Sequence, residues 1–357
     1  MSRSVDNPWL NRFAVLTAIT TLILIGIGGL VTSHEAGMSV PDWPTSYGYN
    51  MFLFPFSKWV GGIYWEHMHR LAASAVGLLT ALLAIWLWVK ESRSWLRWLG
   101  VAAFFAVVLQ GVLGGLRVVL YKDQIGVFHA ALAQMFLVLT AAIALFTSRW
   151  WKNLPSHIQP IMDRKGLRSL LLISTLFIFS QLVLGATMRH QHAGLAIPDF
   201  PLAYHKIWPL MDADSVAAYN ARRSEIVGYK SITAFQIGLQ MVHRMIALVI
   251  FCAVTCCAWS SRRYLGARHP LARLSLVWLG LIFLQVILGA ATIWSNKAAD
   301  VATAHVVIGA LSLLTGALLT IVSFRVLMPI RVEARTATNE PGPSDFGSGK
   351  PAASNAK

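Results

Sequence analysis

Eight stretches of this chain carry apolar side chains at nearly every position, without the polar face of a helix that borders water. They run near residues 13–32, 67–89, 96–116, 126–147, 169–188, 236–259, 272–293 and 303–326. Each is close to the ~20 residues a helix needs to cross the apolar core of a bilayer. In that medium a segment must satisfy its own backbone N–H and C=O groups. The pattern therefore predicts an all-α integral membrane protein with eight transmembrane helices. Composition agrees: of 357 residues, 56% are hydrophobic and only 13% charged, against roughly 25% charged in a soluble domain. A short segment, 1–12, precedes the first span. A tail at 333–357, polar and rich in Pro, Gly and Ser, is expected to be disordered.

The placement of charge orients the spans. Basic residues gather in alternate connections: Lys90, Arg93 and Arg97; then Arg149, Lys152, Arg164, Lys165 and Arg168; then Arg262, Arg263, Arg268 and Arg273. Arg3 and Arg12 precede the first span, and Arg325, Arg331 and Arg335 end or follow the last. The positive-inside bias puts these connections and both termini in the cytoplasm. The opposite connections, 33–65, 117–125, 189–234 and 294–302, face outward and mix signs. Topology thus accounts for the net charge of +15, and no nucleic-acid partner is implied. The first span lacks a small-residue cleavage site and reads as a retained helix. The lack of an amphipathic, Arg-rich leader favours a bacterial plasma membrane. Cys252, Cys256 and Cys257 all fall in the sixth span, so they read as packing residues with no outer-loop disulfide.

The chain also repeats itself. "AGMSVPDWP" at 36–44 returns as "AGLAIPDFP" at 193–201, and "HR" at 69–70 returns at 243–244. His129 opens the fourth span as His305 opens the eighth. "QGVLGG" (110–115), "QLVLGA" (181–186) and "QVILGA" (285–290) mark the outer ends of spans three, five and seven, where small residues allow close helix approach. Each half holds an even number of spans, so the halves enter the membrane alike. The expected architecture is two pseudo-symmetric four-helix bundles, 13–150 and 168–328. The longer outer loop 202–234 is expected to contain a short interfacial helix.

His69, His129, His243 and His305 open even-numbered spans and so share one depth near the outer surface. Within each half an antiparallel bundle can set two imidazoles face to face, a donor pair suited to the axial positions of haem iron. A lone intramembrane histidine is more simply a hydrogen-bond donor between helices. A pair per bundle does not complete a zinc or copper ligand set. His67 lies about 200° around the helix from His69 and cannot share its target. His34, His190, His192 and His205 in outer loops, and His157 and His269 in inner ones, read with it as surface or interfacial residues. Arg70, Arg244, Arg117 and Arg189 read either as partners for haem propionates or as cations snorkelling to the interface. Glu66 stands three residues before His69, whereas Gln240 stands three before His243. An ionisable group at such a site is costly and is a functional candidate.

"EHMHR" (66–70), "FHAALAQ" (128–134), "QMVHR" (240–244) and "TAHVVIGAL" (303–311), with the two loop signatures, resemble the haem A synthase family. The resemblance covers about residues 10–328. It implies oxidation of one methyl group of haem O to the formyl group of haem A through hydroxylated intermediates. It further implies that His69 and His129 flank the substrate haem, that Glu66 acts beside the methyl carbon, and that His243 and His305 hold a haem b that passes electrons on. A farnesyltransferase supplying haem O and a cytochrome oxidase receiving the product are implied partners. The electron acceptor and any homo-oligomer are left open. Some members carry a cysteine pair in each half's first outer loop, and this chain has none there. The rival readings are a dihaem cytochrome b that only transfers electrons, and a transporter.

Overall fold

The computed structural model describes residues 7–154, 165–224 and 231–327. Arg3, His157, Arg164, Arg331, Arg335, the side chain of Lys165 and the 333–357 tail lie outside the described residues.

Some of the helices begin where the sequence supplies a side chain to satisfy a free N–H. The Asn7 side chain accepts from Leu10 N and Pro8 follows it, opening α1 (Pro8–Ser33). The next three long helices are α2 (Gly61–Lys90), α3 (Ser94–Val119) and α4 (Asp123–Thr147), and a single short turn, α5 (Arg149–Asn153), follows. The second half holds α6 (Lys165–His190), the short α7 (Ala213–Ser224), α8 (Ala234–Leu265), α9 (Pro270–Trp294) and α10 (Ala299–Val326). Thr233 and Gln236 cap α8 reciprocally, and His269 with Pro270 opens α9. All but α5 and α7 are long and apolar enough to cross a membrane, eight in number among the described residues. The second of them starts six residues earlier than the apolar pattern predicts, so Glu66 belongs to α2 itself. The helix expected within 202–234 is α7.

Polarity across these helices is inverted relative to a protein in water. Leu78, Ile85, Phe105, Leu248 and Phe283 are exposed along their length. Thr17, Thr80, Thr140 and Thr175 are buried and return their hydroxyl protons to carbonyls one turn back. That is how a bilayer acts as solvent: apolar groups face it and polar groups are consumed internally. The chain is a multi-pass membrane protein.

Neighbour relations follow the repeat. In the first half α1 packs on α2, α2 on α3, α3 on α4, and α4 back on α1. In the second half α6, α8, α9 and α10 pack in the same order and α10 returns to α6. The halves meet where α1 and α4 lie against α10, and α4 against α6. Small residues permit the α1–α10 approach, for a Cβ on Gly29 would stand 3.1 Å from Thr303 Cγ2. Ser33 and Thr303 also share a hydrogen bond across this seam at 3.2 Å. Cys252 and Cys256 are exposed, while Cys257 is buried beside Ser174, all without a disulfide.

Candidate functional site

The two repeated loops are tied down by the helices that carry the histidines. In the first, Glu66 accepts from Val40 N (2.8 Å), and Arg70 donates to the carbonyls of Val40, Asp42 and Thr45 and to Glu66 (2.7–2.9 Å). In the second, Gln240 accepts from Ile197 N at 2.7 Å and turns its amide NH2 back on Ile197 O. Arg244 donates to Asp199 O and Leu202 O. Both main-chain groups of Val40 are thus satisfied by a glutamate–arginine pair, and those of the equivalent Ile197 by one glutamine. Asp42 and Asp199 finish the loops by accepting from two successive backbone N–H groups each, at 2.7–2.8 Å.

These contacts show Arg70 and Arg244 anchoring the loops through their terminal guanidinium nitrogens, and they revise one expectation. His67 is not a surface residue: it is only 1% exposed, its Nδ1 meets Ser46 Oγ at 3.3 Å, and its ring packs on Phe54 and Trp59. The loop folds back over α2 and covers it, a long-range closure that local pattern does not reveal. The other predicted surface histidines divide. His34, His192 and His205 are exposed, while His190 ends α6 half-buried against Gly126. His269 caps α9.

The four repeated histidines have one setting. Each ring rests on a glycine of the preceding long helix. Cβ atoms built on Gly28, Gly114, Gly185 and Gly289 would lie 3.1, 3.3, 3.4 and 3.3 Å from Cε1 of His69, His129, His243 and His305. Four residues before three of those glycines stands a glutamine that latches the histidine's own carbonyl. Gln110, Gln181 and Gln285 donate to His129 O, His243 O and His305 O at 2.8–3.0 Å. The position before Gly28 is Leu24, so His69 alone lacks this latch. The QxxxG echo was visible in the sequence as a packing motif. Its grip on the next helix's histidine was not, because the partner is 19 to 62 residues away.

Within each half the histidines are brought together, His69 within electrostatic reach of His129 and His243 of His305. The buried Nδ1 of all four has no hydrogen-bond partner. Buried polar atoms are rarely left so, and a set of four calls for an explanation. Among the described residues no three of His, Cys, Asp and Glu gather as ligands for a metal ion. Two half-buried imidazoles per half, each seated on a glycine with an Nδ1 that has no hydrogen-bond partner, are a donor set of the kind that a haem iron accepts. A cavity of about 210 Å³ opens at the C-terminal ends of α1, α3 and α6, and another of about 320 Å³ lies at the opposite end beside Arg12 and Trp150.

Residues 49–318 match the family described as cytochrome oxidase assembly protein (COX15-CtaA). A protein of Halalkalibacterium halodurans named haem A synthase is 26% identical over 287 residues, which cover 78% of this chain and 83% of that protein. One of the same name from Mesorhizobium japonicum is 27% identical over 333 residues, covering 85% and 86%. One from Shouchella clausii is 29% identical over 224 residues, covering 61% and 71%.

Proposed function

The chain belongs to the cytochrome oxidase assembly protein family, and from that premise we propose that it is a haem A synthase of the plasma membrane, oxidising a methyl group of haem O to the formyl group of haem A. The observation that carries the reading is the fourfold setting of His69, His129, His243 and His305, each with an orphaned Nδ1 over a glycine. The two cycles of helices are two four-helix bundles born of duplication. The basic inner connections keep both termini cytoplasmic.

In the first bundle His69 and His129 would hold the substrate by its own iron, which would fix an otherwise greasy molecule in one orientation. In the second, His243 and His305 would hold haem b, which when bound would supply one-electron transfer. Glu66 is the group that distinguishes the bundles. Its twin Gln240 clamps the equivalent loop as well without a charge, so the carboxylate is surplus to that structural task. A fixed negative charge favours the positive charge that builds on a methyl carbon under oxidation, and a carboxylate can accept the departing proton. The closing of the outer loop over α2 keeps bulk water from that end of the site.

The test is co-expression of the full chain with a source of haem O, followed by extraction and chromatography of the pigments. Haem A is expected with the wild-type chain and not with Glu66→Gln. Haem A at wild-type level from Glu66→Gln would remove Glu66 from the chemistry.

A further inference from the structure

The cavity of about 210 Å³ lies on the seam between the halves and is strongly cationic. Arg117, Arg189 and Lys297 line it together with His190 and His192, against Glu35 alone, which Lys297 pairs at 3.8 Å. The arginines are not mobile surface groups. Arg189 is pinned to Gly29 O (3.2 Å) and Ser33 Oγ (2.8 Å) of α1, and Arg117 lies over Gly37 and beside Gly126. Their register matters more. Arg117 follows Gly114 by three residues and Arg189 follows Gly185 by four, so each stands about one turn outward of a glycine that seats a histidine, on the same helix face. Arg117 is within electrostatic reach of His69 and His129, and Arg189 of His305. Like charges gathered in a cavity repel one another unless an anion joins them, which makes this a place that attracts anions.

We propose that this cavity is a carboxylate-binding site shared by the two bundles. It takes the propionate edges of the iron porphyrins gripped by the histidine pairs, Arg117 serving the first bundle and Arg189 the second. This rests on the haem reading of the histidines and deepens it: both porphyrins turn their acidic edges toward one vestibule. A lipid phosphate is the competing anion at that depth. The cavity, however, is lined by residues of both halves, and its arginines are in register with the histidine seats.

The test compares iron protoporphyrin with its dimethyl ester, titrated into the full chain purified from haem-limited cells. The wild type is expected to bind the free acid more tightly than the ester. Arg117→Gln and Arg189→Gln should each weaken binding of the acid about tenfold, a typical effect of losing one charge-assisted hydrogen bond, and leave the ester unchanged. Arg189→Lys should recover part of the loss. Unchanged binding of the ester shows in the same titration that the variants fold. Equal affinity of the wild type for acid and ester, or equal losses for both ligands in the variants, would overturn the proposal while leaving the histidine pairs intact. A wild-type chain that binds neither ligand would sink the haem reading and this site with it.

Discussion

At the scale of single residues the Glu66–Gln240 contrast is the most informative. Both side chains are buried, at 4% and 3% exposure, and both accept from the N–H of the matching loop residue. Glu66→Gln should therefore keep the fold, with a melting temperature in detergent that reflects a loss of no more than ~1 kcal/mol. Large destabilisation would show that the ion pair with Arg70 holds the loop, and the argument for a surplus charge would fail. The four histidines and the Glu66–Gln240 asymmetry were legible because duplication prints each site twice. The roles of Arg70 and Arg244 and the burial of His67 were not. They arise when loop residues 8 to 45 positions away in sequence fold over the helix, and no periodicity records that.

Elements show how the histidines are aimed. A glutamine and a glycine one turn apart form a latch and a seat, and the seat matters more. Gly185→Leu should drive the His243 ring from its place and lower the retained haem, read as absorbance per protein. Gln181→Leu imitates Leu24 of α1 and should keep the haem while costing about 1 kcal/mol of stability. If Gly185→Leu left haem content unchanged, the glycine would be mere helix packing. The loop that carries Asp42 makes a separate prediction. Burial opposes the charge of Asp42, yet bonds from Gly48 N, Thr45 Oγ1 and Tyr47 N outweigh it and hold its carboxyl below the usual value. A carboxyl lowered by folding stabilises above its unfolded pKa, and that support is lost as pH falls through the folded value. Amide protection of Tyr47 and Gly48 should hold from neutrality down to about pH 4 and fall below it. In Asp42→Asn it should lose this pH dependence. Protection that decays between neutrality and pH 5 would mean another group controls the loop. Existence and order of the long helices followed from apolar length alone. Their starts did not, since caps such as Thr233–Gln236 and the early turn carrying Glu66 lie outside the apolar pattern.

For the molecule as a whole, the repeat gives two like histidine settings, and the halves that carry them meet at one seam. α1 and α10 approach through Gly29 and Thr303, and Arg189 of α6 joins them by Gly29 O and Ser33 Oγ. Gly29→Leu should wedge this contact and destabilise the chain by about 1–3 kcal/mol, measured as thermal aggregation in detergent. A wild-type transition would show that the halves do not depend on the seam. The central claim is that the histidine pairs divide the labour, one pair for a substrate and one for a resident haem. The most direct measurement is the visible spectrum and extractable haem of the purified chain and of its four His→Ala variants. The wild type should carry low-spin haem, lost in His243→Ala and His305→Ala but kept in inactive His69→Ala and His129→Ala. Colourless wild-type protein, or the same loss from all four substitutions, would contradict the account.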